Sequence, residues 1–219
     1  MSNKIGKLIA IEGIDGVGKA TQAKLLAENM SKLGLKVFLS GYPQYQSDTG
    51  KCIAAYLNGE GKDLSRTEIS DLYTADRAAH KDVIEQALLE NDYVVLDRYI
   101  LSNILYQQAL AEHPEDAVYM KKYTEYSEYV HSALRPADIT FVLTLSEEVA
   151  AQRVLQKGQR DYTDKKQDVH EANSTLMSKV TKLCNGLPDN YYSKIIKIDC
   201  HGSIDMVQAS ILMKIEGHD

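Results

Sequence analysis

The 219-residue sequence predicts an α/β fold in three layers, a five-stranded parallel β-sheet flanked by helices. Three observations carry this. Five short apolar runs, at 7–12, 36–40, 93–97, 139–145 and 194–199, have the length and near-continuous apolar character of strands in a parallel sheet. Helical periodicity separates each run from the next, the alternation that crossover connections require. The first run passes directly into a glycine-rich turn, Gly13-Ile14-Asp15-Gly16-Val17-Gly18-Lys19-Ala20-Thr21, which opens a helix. With 44% hydrophobic residues the chain can bury a substantial core, and its length suits one domain, taken as 1–219.

In the turn after the first strand, two glycines five apart and a following lysine let consecutive backbone N–H groups turn inward. The next helix aims its positive dipole end at the same point. The stretch therefore reads as a polyphosphate cradle, with Lys19 reaching the β- and γ-phosphates. Ala20 stands where a Ser or Thr hydroxyl would ligate Mg²⁺, and the hydroxyl arrives one residue late as Thr21. Ala23, Leu26, Ala27, Met30 and Leu33 keep helical spacing up to a stop at Gly34. The second strand runs into Gly41-Tyr42-Pro43-Gln44-Tyr45, an aromatic segment at the strand end where open α/β sheets bind ligands. A short helix is predicted over 49–58. One long helix is predicted over 65–90, opened by a capping box of Ser65 and Glu68. The third strand ends in Asp97, the pattern of a Walker B segment, and Arg98-Tyr99 and Ser102-Asn103 follow at the same edge.

Residues 115–134 are predicted helical. Tyr119, Tyr123, Tyr126 and Tyr129 fall on one broad face, the spacing of a packing surface in the core or between subunits. After the fourth strand, Ser146-Glu147-Glu148 caps a helix that continues into Arg153, Lys157, Gly158, Arg160, Asp161, Asp164, Lys165 and Lys166. Five cations against two anions give this stretch a charge of +3 in a chain of net charge -6. It is either a solvated turn or a lid, at about 153–170, that brings cations over bound phosphates. A helix over 168–183, the last strand and a closing helix over 203–215 complete the alternation.

The acidic balance argues against a general polynucleotide binder, which needs a basic face to displace counterions. Cys52, Cys184 and Cys200 are odd in number and irregularly spaced, so neither a disulfide framework nor a zinc site is indicated. The N-terminal residues lack an apolar signal core and no apolar run is long enough to span a bilayer. No membrane partner and a cytoplasmic location are expected.

Several segments together resemble the thymidylate kinase family: Glu12 through Lys19, Tyr42-Pro43-Gln44-Tyr45, Asp76-Arg77, Asp97-Arg98-Tyr99 with Ser102-Asn103, and a basic lid closing on Asp168-Val169-His170-Glu171. The match runs in register from about residue 7 to about residue 200. It implies the P-loop NTPase form of the fold and transfer of the γ-phosphoryl group of ATP to dTMP, giving dTDP and ADP for dTTP synthesis. Mg²⁺ is the implied cofactor and a homodimer the implied assembly. The resemblance assigns ATP to Gly13, Ile14, Asp15, Gly16, Val17, Gly18, Lys19, Ala20 and Thr21, together with Arg153 and Lys157. It places Asp15 between donor and acceptor. Arg98 is assigned to clamp the acceptor phosphate, its planar fork matching phosphate oxygens. The resemblance further implies that Tyr73 stacks on the base, that Arg77 and Asn103 read the base edge, that Tyr42, Tyr45, Leu57 and Tyr106 wall the pocket, and that His170 meets the sugar edge. Asp15, Asp97 and Glu171 are the implied metal-side carboxylates.

Family members carry a transition-state arginine either at the position of Gly16 or in the lid. Gly16 has no charge, so Arg153 and Arg160 are expected to join Asp15, Lys19 and Arg98 as catalytic residues, with Lys157 beside them. Gln44 stands where relatives often have arginine. Two other readings stay open on the residues: a kinase for another (deoxy)nucleoside monophosphate, and a catalytically weak nucleotide-binding regulatory module, motivated by Ala20 and Gln44.

Overall fold

Five strands, β1 (Lys7–Glu12), β2 (Val37–Gly41), β3 (Tyr93–Asp97), β4 (Ile139–Thr144) and β5 (Lys194–Asp199), form one sheet in the order β2-β3-β1-β4-β5, with every adjacent pair parallel. The structure, a computed structural model, describes residues 5–60, 64–110, 134–156, 162–163 and 165–217. Around the sheet pack α1 (Lys19–Lys32), α2 (Asp48–Leu57), α3 (Arg66–Ala79), α4 (Lys81–Glu90), α5 (Ile100–Leu110), α6 (Glu147–Gln156), α7 (Ser174–Gly186) and α8 (Ile204–Glu216). Among these residues, no helix is long and apolar enough to cross a membrane.

The apolar run of β1 is continuous because both faces of the strand are covered. Ile9 and Ile11 join the cluster that includes Leu26, Met30 and Phe141. Leu8 and Ala10 join Leu88, Val94, Leu96 and Ile104 in the other. Each large apolar side chain so buried contributes about 1.5–3 kcal/mol relative to exposure. The functional consequence lies at the strand ends. Ile11 is paired with Asp97, and Gly41 is paired with the same residue, so the turns leaving β1, β2 and β3 emerge side by side.

Two predicted boundaries are corrected. The helix predicted over 65–90 is broken at His80, whose N–H closes on the Arg77 carbonyl at 3.2 Å in a tighter turn. The buried positions Ile69, Arg77, Ile84 and Leu88 keep helical phase through the break, so periodicity does not mark it. His80 instead packs edge-on to Tyr42, at 6.2 Å between ring centroids. The capping box does open α3: Ser65 Oγ accepts the Glu68 N–H, and Glu68 Oε2 accepts the Ser65 N–H. The helix predicted from residue 168 starts only at Ser174, capped by Asn173, whose Oδ1 accepts the Leu176 N–H at 3.0 Å. Before it, Asp168 Oδ1 accepts the N–H groups of His170 and Glu171, and this local turn competes with helix. The tyrosine-bearing helix predicted over 115–134 lies almost wholly outside the described residues.

Candidate active site

At the carboxyl ends of β1 and β3 opens a cavity of about 270 Å³. It is lined by Asp15, Gly16, Gly18, Lys19, Ala20 and Thr21 from the turn after β1 and by Asp97 and Arg98 from the end of β3. Tyr42, Tyr45, Leu57, Tyr73, Arg77, Asn103 and Tyr106 line it as well, and so do Tyr162, Asp168, His170 and Glu171 from the segment before α7.

The turn after β1 is anchored by apolar side chains and left open by its glycines. Ile14 and Val17 are buried in the core and do not line the cavity. Gly18 is the N-cap of α1 at φ 101° and supplies no side-chain cap, so the amide end of α1 is not covered by its own N-cap residue. Lys19 is buried; its Nζ donates to the Ile14 carbonyl at 2.8 Å and lies 3.6 Å from Asp15 Oδ1. Gly16, at φ 91°, is closed to any side chain, since a Cβ there would lie 2.1 Å from the Ala150 carbonyl oxygen of α6. An arginine at position 16 is thus sterically excluded in this arrangement.

Arg98 sits at the centre of a polar network. Its Nη2 donates to Asp15 Oδ1 at 2.5 Å and its Nη1 to Ser102 Oγ at 3.1 Å, while Tyr106 donates its phenolic hydrogen to Asp15 Oδ2 at 2.9 Å. Burial works against the guanidinium charge, but Asp15, Tyr106, Asp97 and Glu12 outweigh it, so Arg98 remains charged. Burial, with the Asp15 charge behind it, raises the Tyr106 phenol above its ordinary range and keeps it a donor. Beneath this network Glu12, the last residue of β1, accepts the N–H groups of Tyr99 at 2.7 Å and Ser102 at 3.1 Å, and also the Ser102 hydroxyl. A buried carboxylate thereby caps the start of α5 and ties the Asp97-Arg98-Tyr99 turn to the phosphate-loop strand. The sequence carries a single signal for this role, a charge closing an otherwise apolar strand, and it does not say what the charge holds.

The aromatic wall is arranged by buried polar anchors. Arg77 donates through Nε to the Tyr99 carbonyl at 2.9 Å and through Nη1 to the Tyr73 carbonyl at 2.6 Å, and its guanidinium lies 5.2 Å from the Tyr42 ring centre. Asp76, also buried, accepts the Gln44 N–H and the hydroxyls of Ser47 and Thr49, which holds the loop after β2. Gln44 turns its amide back onto Ser40 Oγ and the Gly41 carbonyl, and it does not line the cavity. Asn103 donates to Thr74 Oγ1 at 3.1 Å. Tyr73 has no ring partner among the described residues.

Tyr162 escapes sequence reasoning because it sits inside a cationic stretch. Its ring stacks on Tyr45 at 4.2 Å between centroids and 12° between planes, and its hydroxyl donates to Asp168 Oδ2 at 2.8 Å. His170 stacks on Tyr106 at 5.4 Å and is hydrogen-bonded through Nε2 to the Tyr56 hydroxyl at 3.0 Å. Burial pushes its pKa below the ordinary imidazole value, with Asp168 and Asp15 opposing the shift.

Of the remaining predicted residues, Arg153 is not brought to the cavity, whereas Asp97 and Glu171 line it. Arg153 donates instead to the Cys200 carbonyl at 3.1 Å. Lys157 and Arg160 lie outside the described residues. Glu171 lines the cavity, and its Oε2 accepts the Asp168 N–H at 3.2 Å. Asp97 Oδ1 is buried without a hydrogen-bond partner, and burial raises the Asp97 pKa against the pull of Lys19 and Arg98.

The thymidylate kinase family profile matches residues 11–211. Thymidylate kinase from Desulfotalea psychrophila is 30% identical over 217 residues, covering 99% of this chain and 97% of its own length. Thymidylate kinase from Mycobacterium tuberculosis is 33% identical over 157 residues, covering 70% of this chain and 73% of its own. The solved structure of thymidylate kinase from Candida albicans superposes with a TM-score of 0.76 at 28% identity, covering 98% of this chain and 92% of its own.

Proposed function

The chain belongs to the thymidylate kinase family and uses ATP to phosphorylate dTMP to dTDP; we propose that it does so in the cavity between the turns after β1 and β3. The observation that carries this assignment of the site is that Asp15 joins both halves: its carboxylate holds Arg98 and Tyr106 on one side and lies 3.6 Å from Lys19 on the other.

In this reading Lys19, the glycine-rich turn and the amide end of α1 bind the β- and γ-phosphates of ATP, through Gly13, Ile14, Asp15, Gly16, Val17, Gly18, Ala20 and Thr21. Arg98 grips the acceptor phosphate with its fork, kept in orientation by Asp15 and Ser102. A phosphate oxygen of dTMP then attacks the γ-phosphorus in line as the bond to the β–γ bridging oxygen breaks, a reaction that depends mainly on positioning and charge neutralisation. Tyr73, Arg77 and Asn103 receive the base, with Tyr42, Tyr45, Leu57, Tyr106 and His170 around the nucleoside. Arg153, Lys157 and Arg160 supply the lid cations. The steric closure of position 16 supports that division, because the phosphate loop cannot carry the arginine itself.

The residues suit Mg²⁺. Asp97 has a buried oxygen with no partner, and Asp15 and Glu171 line the same cavity. No group of three or more His, Cys, Asp or Glu among the described residues forms a closed metal cage. Mg²⁺ prefers one or two carboxylates together with phosphates and waters, and when bound it neutralises phosphate charge. A single domain spanning 1–219 and a cytoplasmic location belong to the same proposal, as does a homodimer, which the family resemblance implies. A monomer in sedimentation velocity would overturn the dimer.

A coupled ADP-release assay across dTMP, dUMP, dGMP, UMP and AMP tests the acceptor. The expected result is the highest kcat/KM for dTMP. Preference for another monophosphate overturns the acceptor assignment, and tight nucleotide binding without turnover overturns the enzyme reading. The panel is broad because the Candida albicans enzyme is described as having broad substrate specificity.

A further inference from the structure

Asn58, just past the carboxyl end of α2, joins segments that lie 104 residues apart in sequence. Its Nδ2 donates to the Tyr162 carbonyl at 2.8 Å and to the Ala54 carbonyl at 3.0 Å. Its Oδ1 accepts the Thr163 hydroxyl at 2.5 Å, and its own carbonyl accepts Lys165 Nζ. One residue earlier, the Leu57 carbonyl accepts the Val169 N–H at 3.0 Å. The side-chain amide offers from one group both a donor to the Tyr162 carbonyl and an acceptor to the Thr163 hydroxyl. Thr163 is buried, so the second of these bonds is shielded from competing water.

Neither Asn58 nor Thr163 lines the cavity, but Tyr162 does. Tyr162 is held at three points: its carbonyl by Asn58, its hydroxyl by Asp168 and its ring by Tyr45. Release of the carbonyl removes the backbone member of these three contacts and leaves those of the phenol and the ring. The Asn58 side chain thus reaches the cavity wall through Tyr162, while its chain neighbour Leu57 lines the cavity directly.

We propose that Asn58 is a positioning residue for the acceptor nucleotide, fixing Tyr162 as part of the acceptor wall. The proposal rests on the reading that Tyr45 and its neighbours receive the acceptor. The other role open to Asn58 is local capping of α2 through Ala54, which would alter stability but would not single out one substrate.

The test is a kinetic cycle on the full chain with Asn58→Ala, Tyr162→Ala and the double variant. Asn58→Ala is expected to raise the KM for the acceptor about ten-fold and the KM for ATP less than about two-fold, the scale of losing the bonds that orient one contact residue. The double variant is expected to match Tyr162→Ala alone, since a residue acting only through Tyr162 has no further effect once that ring is gone. Equal rises in both KM values, an unchanged acceptor KM, or multiplying effects in the double variant would overturn the proposal. If Asn58→Ala does not fold, Thr163→Val removes the same Oδ1 contact from the other side. It is held to the same split, with a rise of about three-fold in acceptor KM, and no split overturns the proposal. The cycle uses whichever monophosphate the parent turns over best, so a wrong acceptor assignment shows in the parent, while the role of Asn58 is decided by the variants.

Discussion

Arg98 holds a left-handed backbone conformation, φ 64°, that a non-glycine residue adopts at a cost of roughly 1 kcal/mol or more. Its N–H is bound to the Ile11 carbonyl at 2.9 Å and its guanidinium to Asp15 and Ser102, so the surroundings over-determine the strained backbone. The geometry aims the fork across the end of β1 to Asp15 and onto Ser102 in the first turn of α5. Steady-state kinetics on Arg98→Ala should show a KM for dTMP raised about a hundred-fold, in line with loss of a charged, bidentate contact, while the KM for ATP stays within about three-fold. Comparable rises for both substrates would remove Arg98 from the acceptor clamp. The residue type and its place after Asp97 were legible in the sequence. The backbone conformation was not, because the Ile11 carbonyl and the Asp15 carboxylate that hold it come from a distant strand and turn.

At the scale of elements, the phosphate loop is wedged against α6 through Gly16 and the Ala150 carbonyl. Gly16→Ala brings a Cβ to 2.1 Å from that oxygen, at a φ that disfavours any side chain, so either the loop or the helix must shift. Denaturant unfolding should register a loss of at least about 2 kcal/mol, and turnover should fall with it; an unchanged midpoint would show that α6 yields freely. The segment before α7 supplies a pH test. Burial holds the His170 pKa below its ordinary 6.5, so the folded chain keeps a neutral imidazole where the unfolded chain takes up a proton. Stability from this source is complete above pH 6.5 and is lost as the pH falls through 6.5 toward the lower folded value. The groups facing His170 are Tyr56 from α2, Tyr106 from α5, Asp15 and Arg98 from the two turns, and Asp168 from its own segment. Thermal midpoints at pH 7.5 and 5.5 should differ less in His170→Phe than in the parent, and an equal difference would contradict the burial of a neutral ring. Sequence patterning located α2 and α6 closely, since each buries one regular stripe, but it named no helix at α5, which is buried on almost every side. It missed the break at His80 and the late start of α7. An unbroken periodicity conceals the first, and a local aspartate turn produces the second.

At the scale of the molecule, the cavity is assembled from both chain halves, so acceptor binding should stabilise the whole fold. At a dTMP concentration of one hundred times Kd, the gain is about 2.7 kcal/mol. For a chain of this size that corresponds to a rise in Tm of roughly 5–10 °C, measurable by calorimetry, and Arg98→Ala should abolish most of it at the same concentration. A full shift in the variant would place the acceptor elsewhere. The sequence by itself determined the five parallel strands, the phosphate loop, the Asp97-Arg98 edge and the family, because each is written in local order: period, glycine spacing and strand-end charge. Only the tertiary structure decided that Glu12 caps α5, that position 16 is closed by α6, and that Asn58 reaches Tyr162. These are contacts between residues 87 to 134 positions apart. Their chemistry lies in which polar groups are left needing partners once the sheet has formed, and one-dimensional patterns do not record that. The loop that opens α1 could be recognised from its glycines alone, whereas the closure of Gly16 to any side chain depended on where α6 came to rest.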